Sequence, residues 1–103
     1  MRVPASSSLN GRQARHLRAL AHHLDPVVQV GKEGVSDAVV RAAAQALHDH
    51  ELIKVKLPQL EKDERREMSQ HLKRVLSAQI VDEIGRIVVL YRRHPDKPKI
   101  KLP

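Results

Sequence analysis

Apolar residues recur along this chain with two different periods. In GRQARHLRALAHHL, which follows the N-cap candidate Asn10, Leu17, Leu20, Ala21 and Leu24 stand at i, i+3, i+4 and i+7, the stripe of an amphipathic helix. Asp25 and Pro26 stop it, because the residue before a proline is pushed out of the helical region. Val27, Val28, Gln29 and Val30 form a β-branched run that reads as a short, largely buried strand. After the turn Gly31-Lys32-Glu33-Gly34 comes Val35. Ser36 is then the natural N-cap of a second helix, with Asp37 in a first turn where negative charge suits the dipole. Val40, Ala43, Ala44 and Leu47 supply its apolar face.

Beyond residue 51 the period changes to two. LIKVKL alternates Ile53, Val55 and Leu57 with Lys54 and Lys56, which predicts a strand with one face inward and a wet, cationic face outward. Pro58 ends it, and a charged third helix is expected from about 61 to 77, turning Met68, Leu72, Val75 and Leu76 toward the core. Two further strands, over 80–84 and 87–92, close a hairpin at Gly85–Arg86. The second is apolar on both faces and is expected to be central or covered. HPDKPKIKLP, with its three prolines, is expected to stay extended.

The order α-β-α-β-α-β-β calls for crossovers, so part of the sheet is expected to be parallel, with the final hairpin adding an antiparallel pair. A length of 103 residues suits one domain. The economical fold class is α+β, a two-layer sandwich of a four-stranded mixed sheet with three helices and one sheet face partly open. Residues 1–8, with Pro4 and three serines, read as a flexible leader, 9–94 as the domain and 95–103 as a basic extended tail.

Composition narrows the chemistry. There is no cysteine, which removes disulfide frameworks, thiolate nucleophiles and cysteine-based metal sites. No apolar run approaches the ~20 residues of a membrane span, and MRVPASSSLN lacks the apolar stretch of a secretory signal, so a cytoplasmic location is expected. Nineteen Lys and Arg against twelve Asp and Glu leave a net charge of +7, concentrated in the second half, and make a polyanion the leading partner. Tyr91 is the only Phe, Trp or Tyr. Recognition by stacking bases on surface aromatics is therefore disfavoured, leaving phosphate and sugar contacts to carry affinity.

The turn Gly31-Lys32-Glu33-Gly34 lies between a strand and a helix N-terminus, where glycines allow close approach and free N–H groups favour an anion. Lys32 adds a mobile charge, while Glu33 and Asp37 oppose it. Around the turn the candidates are a ridge of Arg12, Arg15 and Arg18, then His22, Lys54 and Lys56, and a basic end that includes Arg92 and Arg93. Each cluster alone would also be consistent with a solvated surface; together with the net charge they favour nucleic-acid binding. Seven histidines do not make a metal site: His48 and His50 are two apart, and His22 and His23 adjacent, whereas helical metal pairs use i, i+3 or i, i+4. Two rivals stay open. One is a metal-free ribonuclease pairing a histidine with Lys54 or Lys56; the other is a protein-interaction module docking an acidic partner.

The stretch from Leu17 to Leu57 closely resembles the CRM domain, specifically the small stand-alone bacterial YhbY family. The landmarks are Leu20-Ala21-His22, Pro26-Val27-Val28, Gly31 to Gly34 and His50-Glu51-Leu52-Ile53-Lys54-Val55-Lys56, and the likeness continues through Ile84-Gly85 and Val89-Leu90-Tyr91-Arg92. The resemblance implies an RNA-binding domain similar to the C-terminal domain of translation initiation factor three. Its bacterial members associate with precursors of the large ribosomal subunit, and plant relatives act in organelle intron splicing. The family's RNA-contact loop falls on Gly31, Lys32, Glu33 and Gly34. The expected protein is thus a monomeric, non-enzymatic RNA binder assisting large-subunit ribosome assembly. Its partner would be ribosomal RNA or a pre-ribosomal particle, with no cofactor, metal or membrane.

Overall fold

Local signals start each helix where the residue types demand it. The computed structural model describes residues 9–103, so the leader assigned to residues 1–8 lies outside the described residues. Helix α1 (Gly11–Ala21) opens on a capping box: Asn10 Oδ1 accepts the Gln13 N–H at 2.8 Å, and Gln13 Oε1 accepts the Asn10 N–H at 3.2 Å. Strand β1 (Pro26–Gln29) follows, then α2 (Asp37–His50), whose Ser36 hydroxyl accepts the Val39 N–H at 3.2 Å. After β2 (Leu52–Lys56), α3 (Lys62–Leu76) carries Asp63 and Glu64 in its first turn and Lys73 and Arg74 in its last, matching the dipole at both ends. Strands β3 (Gln79–Ile84) and β4 (Ile87–Tyr91) form the closing hairpin.

The four strands make one mixed sheet in the order β1-β2-β4-β3, parallel between β1 and β2 and antiparallel elsewhere. This is the expected α+β fold, with three helices on a four-stranded sheet. Strand β4 lies inside the sheet, and its Val88, Val89, Leu90 and Tyr91 are all buried. Helices α2 and α3 cover one face over Ile53, Val55, Leu57, Val88 and Leu90. On the other face α1 and the tail pack Leu17, Ala21, Ile100 and Leu102 against Leu52, Val81, Val89 and Tyr91.

Three expectations change. Helix α1 ends at Ala21, four residues before Asp25, so Leu24 lies beyond it and is 37% exposed; Leu20, inside the helix, lies off the buried Leu17–Ala21 line and is 39% exposed. In the edge strand β1 Val27 stays 55% exposed, and Val28 and Val30 are the buried members of that run. In α3 the seam runs through Ser69, Leu72 and Leu76, at i, i+3 and i+7, and Val75 falls outside it.

The tail has no helix or strand, but it is anchored. Glu51 is fully buried, and its carboxylate accepts the N–H groups of His94 (2.7 Å), Lys99 (2.7 Å) and Ile100 (2.8 Å). Burial alone would raise the Glu51 pKa; the three N–H donors and the nearby His94 outweigh it and hold the carboxyl below its ordinary value.

Candidate nucleic-acid interface

The parallel pairing of β1 and β2 decides where the glycine turn goes. Gln29 lies opposite Lys56, and the Val30 N–H donates to the Lys56 carbonyl at 2.8 Å, so the chain leaves the sheet beside the end of β2. There Gly31 and Gly34 close a tight turn, with the Gly34 N–H donating to the Gly31 carbonyl at 3.0 Å. Gly34 has φ +86°, a region that costs other residues strain, and a Cβ built on it would meet nothing within 4 Å. Lys32 projects exposed from the tip. Glu33 folds back, and its carboxylate occupies the space beside the Gly31 Cα.

The strand register places a graded surface next to this turn. At the far end of the sheet Leu52, Tyr91 and Gln79 lie side by side and are buried. One step nearer the turn, Lys54, Val89 and Asp82 align, and Arg18, Ala21 and His22 of α1 border the same shallow cleft. At the turn itself Gln29, Lys56, Ile87 and Ile84 line up, all exposed or half-exposed. The covering by α1 and the tail thus gives out toward the glycine turn. What opens there is a cationic strip with an aliphatic floor.

Of the residues singled out in the sequence, Arg18, His22 and Lys54 meet in one cleft, and Lys56 continues their row toward Gly31–Gly34. Lys54 is also a tie: its Nζ donates to the Leu24 carbonyl at 2.9 Å and holds the α1–β1 connection down. Arg15 and Arg12 are exposed on α1, about one and two turns further from the cleft.

Arg92 and Arg93 lie at the other end of the sheet, since Tyr91 pairs with Leu52 and Ile87 with Lys56. Arg92, expected as an RNA contact, is engaged within the fold. Its guanidinium donates to the carbonyls of Leu76 (2.9 Å) and Ala44 (3.0 Å), stitching α3 to α2, and burial pulls its pKa down. Arg93 stays exposed at that distant end.

Arg86 is a residue the sequence reading missed. In the β3–β4 turn, its Nε donates to the Leu57 carbonyl at 3.0 Å and its carbonyl accepts the Leu57 N–H at 2.7 Å, which brings a third cation to the same end as Lys32 and Lys56. Its signal is topological: a hairpin turn joins the glycine corner only when β4 pairs with β2.

Asp82 lines the same cleft as Arg18, His22 and Lys54 but forms no ion pair with them. Among the described residues the one pair within 4.0 Å is His48 with Asp49. His48 and His50 end α2, at the opposite end of the sheet from the glycine turn. Among the described residues no group of three His, Asp or Glu side chains could hold a metal ion, and no helix is long and apolar enough to cross a membrane.

The sequence matches the family model of the CRS1 / YhbY (CRM) domain over residues 9–92. It is 40% identical over 95 residues to the probable RNA-binding protein YqeI of Bacillus subtilis, covering 92% of this chain and 99% of that one. With an RNA-binding protein of Haemophilus influenzae it shares 38% identity over 97 residues, 94% of this chain and 97% of the relative. The fold is similar to the solution structure of protein SAV1595 from Staphylococcus aureus, with a TM-score of 0.81 and 35% identity over 93% of this chain and 100% of that chain.

Proposed function

The chain belongs to the CRS1 / YhbY (CRM) domain family, and from that membership and the cationic strip at the open end of its sheet we propose that it binds RNA. The observation that carries the reading is the alignment of Arg18, His22, Lys54 and Lys56 toward a glycine turn, on the one part of the sheet face that α1 and the tail leave uncovered. Ammonium and guanidinium groups there, which make no ion pair with a carboxylate, would take phosphates and displace their counterions. The turn would let the strand's backbone approach Gly31 and Gly34 closely, with Lys32 and Arg86 closing over it. Ile84 and Ile87 offer an aliphatic surface against ribose in place of aromatic stacking.

In the same reading the RNA is that of the large ribosomal subunit, bound during assembly by a monomer in the cytoplasm, without catalysis. The names of the relatives and the high positive charge support the class of ligand. The assembly role rests on the family resemblance. Both are tested by crosslinking the protein to RNA in cells and sequencing the attached fragments. Reads concentrated in large-subunit precursors are expected, and reads spread over messenger RNA would overturn the assembly role. For the turn itself, Lys32→Glu with Gly34→Asp is expected to weaken RNA binding at least tenfold in folded protein, about 1.4 kcal/mol. Undiminished affinity removes the turn from the interface.

A further inference from the structure

A second recess lies just around the hairpin from the strip. It is a cleft of about 440 Å³ between α3 and the β3–β4 hairpin, within the size range of small-ligand sites. Lys62, Arg65, Arg66 and Ser69 stand at i, i+3, i+4 and i+7 and form one wall. Leu57 and Ile80 are apolar floor, and Glu83 and Gly85 belong to the facing wall. Glu83 pairs with Val88, whose side chain packs in the α2–α3 core, so the Glu83 side chain is on the α3 side of the sheet.

The two walls carry opposite charge and do not neutralise each other. No contact within 4.0 Å joins Glu83 to Lys62 or Arg66. Arg65 is occupied, its Nη1 donating to the Leu60 carbonyl at 2.8 Å, while Lys62 and Arg66 remain exposed. A ligand that spans such a cleft must offer donors at one end, an anion at the other and a flat apolar body between. A nucleotide has that form. Among the bases, guanine alone presents two adjacent N–H donors on its Watson–Crick edge, which a carboxylate accepts as a bidentate pair.

We propose that this cleft holds one unstacked guanosine of a bound RNA, with Glu83 accepting from the base edge and Lys62 and Arg66 meeting the flanking phosphate. The inference rests on the RNA-binding reading and adds base selectivity to it. Continuity supports it. Leu57, in the cleft floor, directly follows Lys56 and is hydrogen-bonded through both its N–H and its carbonyl to Arg86, so a strand leaving the cationic strip arrives at the mouth of the cleft. With Tyr91 buried and no Phe or Trp, the chain offers no exposed Phe, Trp or Tyr on which to stack a base, and a pocket is another way to hold one.

The test compares two hexanucleotides, UUGUUU and UUUUUU, by fluorescence anisotropy at one salt concentration. The wild-type protein is expected to prefer the guanosine-containing strand about tenfold, in the range of one bidentate base contact. Inosine, which lacks the 2-amino group, should lose most of that preference, and Glu83→Gln should reduce it to within twofold. Equal affinity of the wild-type protein for both strands overturns the pocket and leaves RNA binding standing, as does a preference that survives in Glu83→Gln. Failure to bind either strand at low salt defeats the RNA reading, and this inference with it. Glu83 is exposed and the thermal midpoint of Glu83→Gln checks its fold. As a second readout, guanosine monophosphate added to labelled protein should move the amide resonances of Ser69, Glu83 and Gly85; shifts centred on residues 31–34 would overturn the assignment.

Discussion

Glu33 shields the corner that a phosphate would have to reach. Its carboxylate lies against Gly31, in the space a side chain there would fill, so it must swing outward before a nucleic-acid backbone can approach. Removing one exposed negative charge beside an anion is worth about 0.4–1 kcal/mol, so Glu33→Gln is expected to tighten RNA binding roughly two- to fivefold at low salt, with the gain shrinking as salt rises. Weaker binding by this variant would show that Glu33 is a ligand of the RNA rather than a cover. Gly34 tests the backbone separately: with φ +86° and open space around it, Gly34→Ala meets no clash and is expected to cost about 1–2 kcal/mol of stability through strain alone, read as a lowered denaturation midpoint. Glu51 ties the tail to the end of α2. It sits at φ 65°, an unfavourable value for glutamate, and is held there by the Leu47 carbonyl, by the Arg92 N–H on its own carbonyl and by three tail N–H groups on its carboxylate. Because its pKa in the fold lies below the ordinary 4.5, the stabilisation is fully present above that pH and is lost as the pH falls through the lowered value. Glu51→Gln should lower stability at neutral pH by about 2–4 kcal/mol and flatten the acid limb of a pH–stability curve. An acid limb identical in wild-type and variant protein would place the titration elsewhere.

Elements were legible in the sequence wherever their signals are local. Ser36, Asp37 and the spacing of Val40, Ala43, Ala44 and Leu47 define α2 within one segment, and the alternation of LIKVKL with the glycine at Gly85 defines β2 and the hairpin. What stayed hidden depends on partners far along the chain. Leu24 fits the periodicity of α1, but what buries a helix face is the sheet beneath it, and the helix stops before reaching that residue. The tail reads as extended because the three N–H groups that fix it bond to a residue 43 to 49 positions away. The structural role of Arg92 stayed hidden for the same reason, since a basic residue after a strand looks like surface until α2 and α3 deliver two carbonyls to it. Arg92→Ala is therefore expected to cost about 2–3 kcal/mol by leaving half-buried carbonyls without a charged donor, while the salt dependence of RNA binding keeps its slope. A reduced slope in that variant would return Arg92 to the interface.

At the scale of the whole molecule the question is whether affinity follows total charge or its placement. A net charge of +7 attracts any polyanion, and a diffuse field would make every exposed lysine equivalent. The fold argues for placement, because the tail and α1 cover one end of the second sheet face and the glycine turn, Lys56 and Arg86 share the other. Two double reversals separate the cases, since each changes the net charge by the same amount. Lys32→Glu with Lys56→Glu removes two cations from the open end, and Lys97→Glu with Lys101→Glu removes two exposed cations from the tail. On single-stranded RNA each phosphate contact contributes about 0.7 to the slope of log affinity against log salt, so the first pair should flatten the slope by about 1.4 and the second should leave it near the wild-type value. Equal flattening by both pairs would mean that RNA is held by the field of the whole surface. Flattening by the tail pair alone would move the interface to the far end, among Arg93, Lys97 and Lys101, where the carboxylate of Glu51 fixes the tail's backbone and leaves these side chains in solvent.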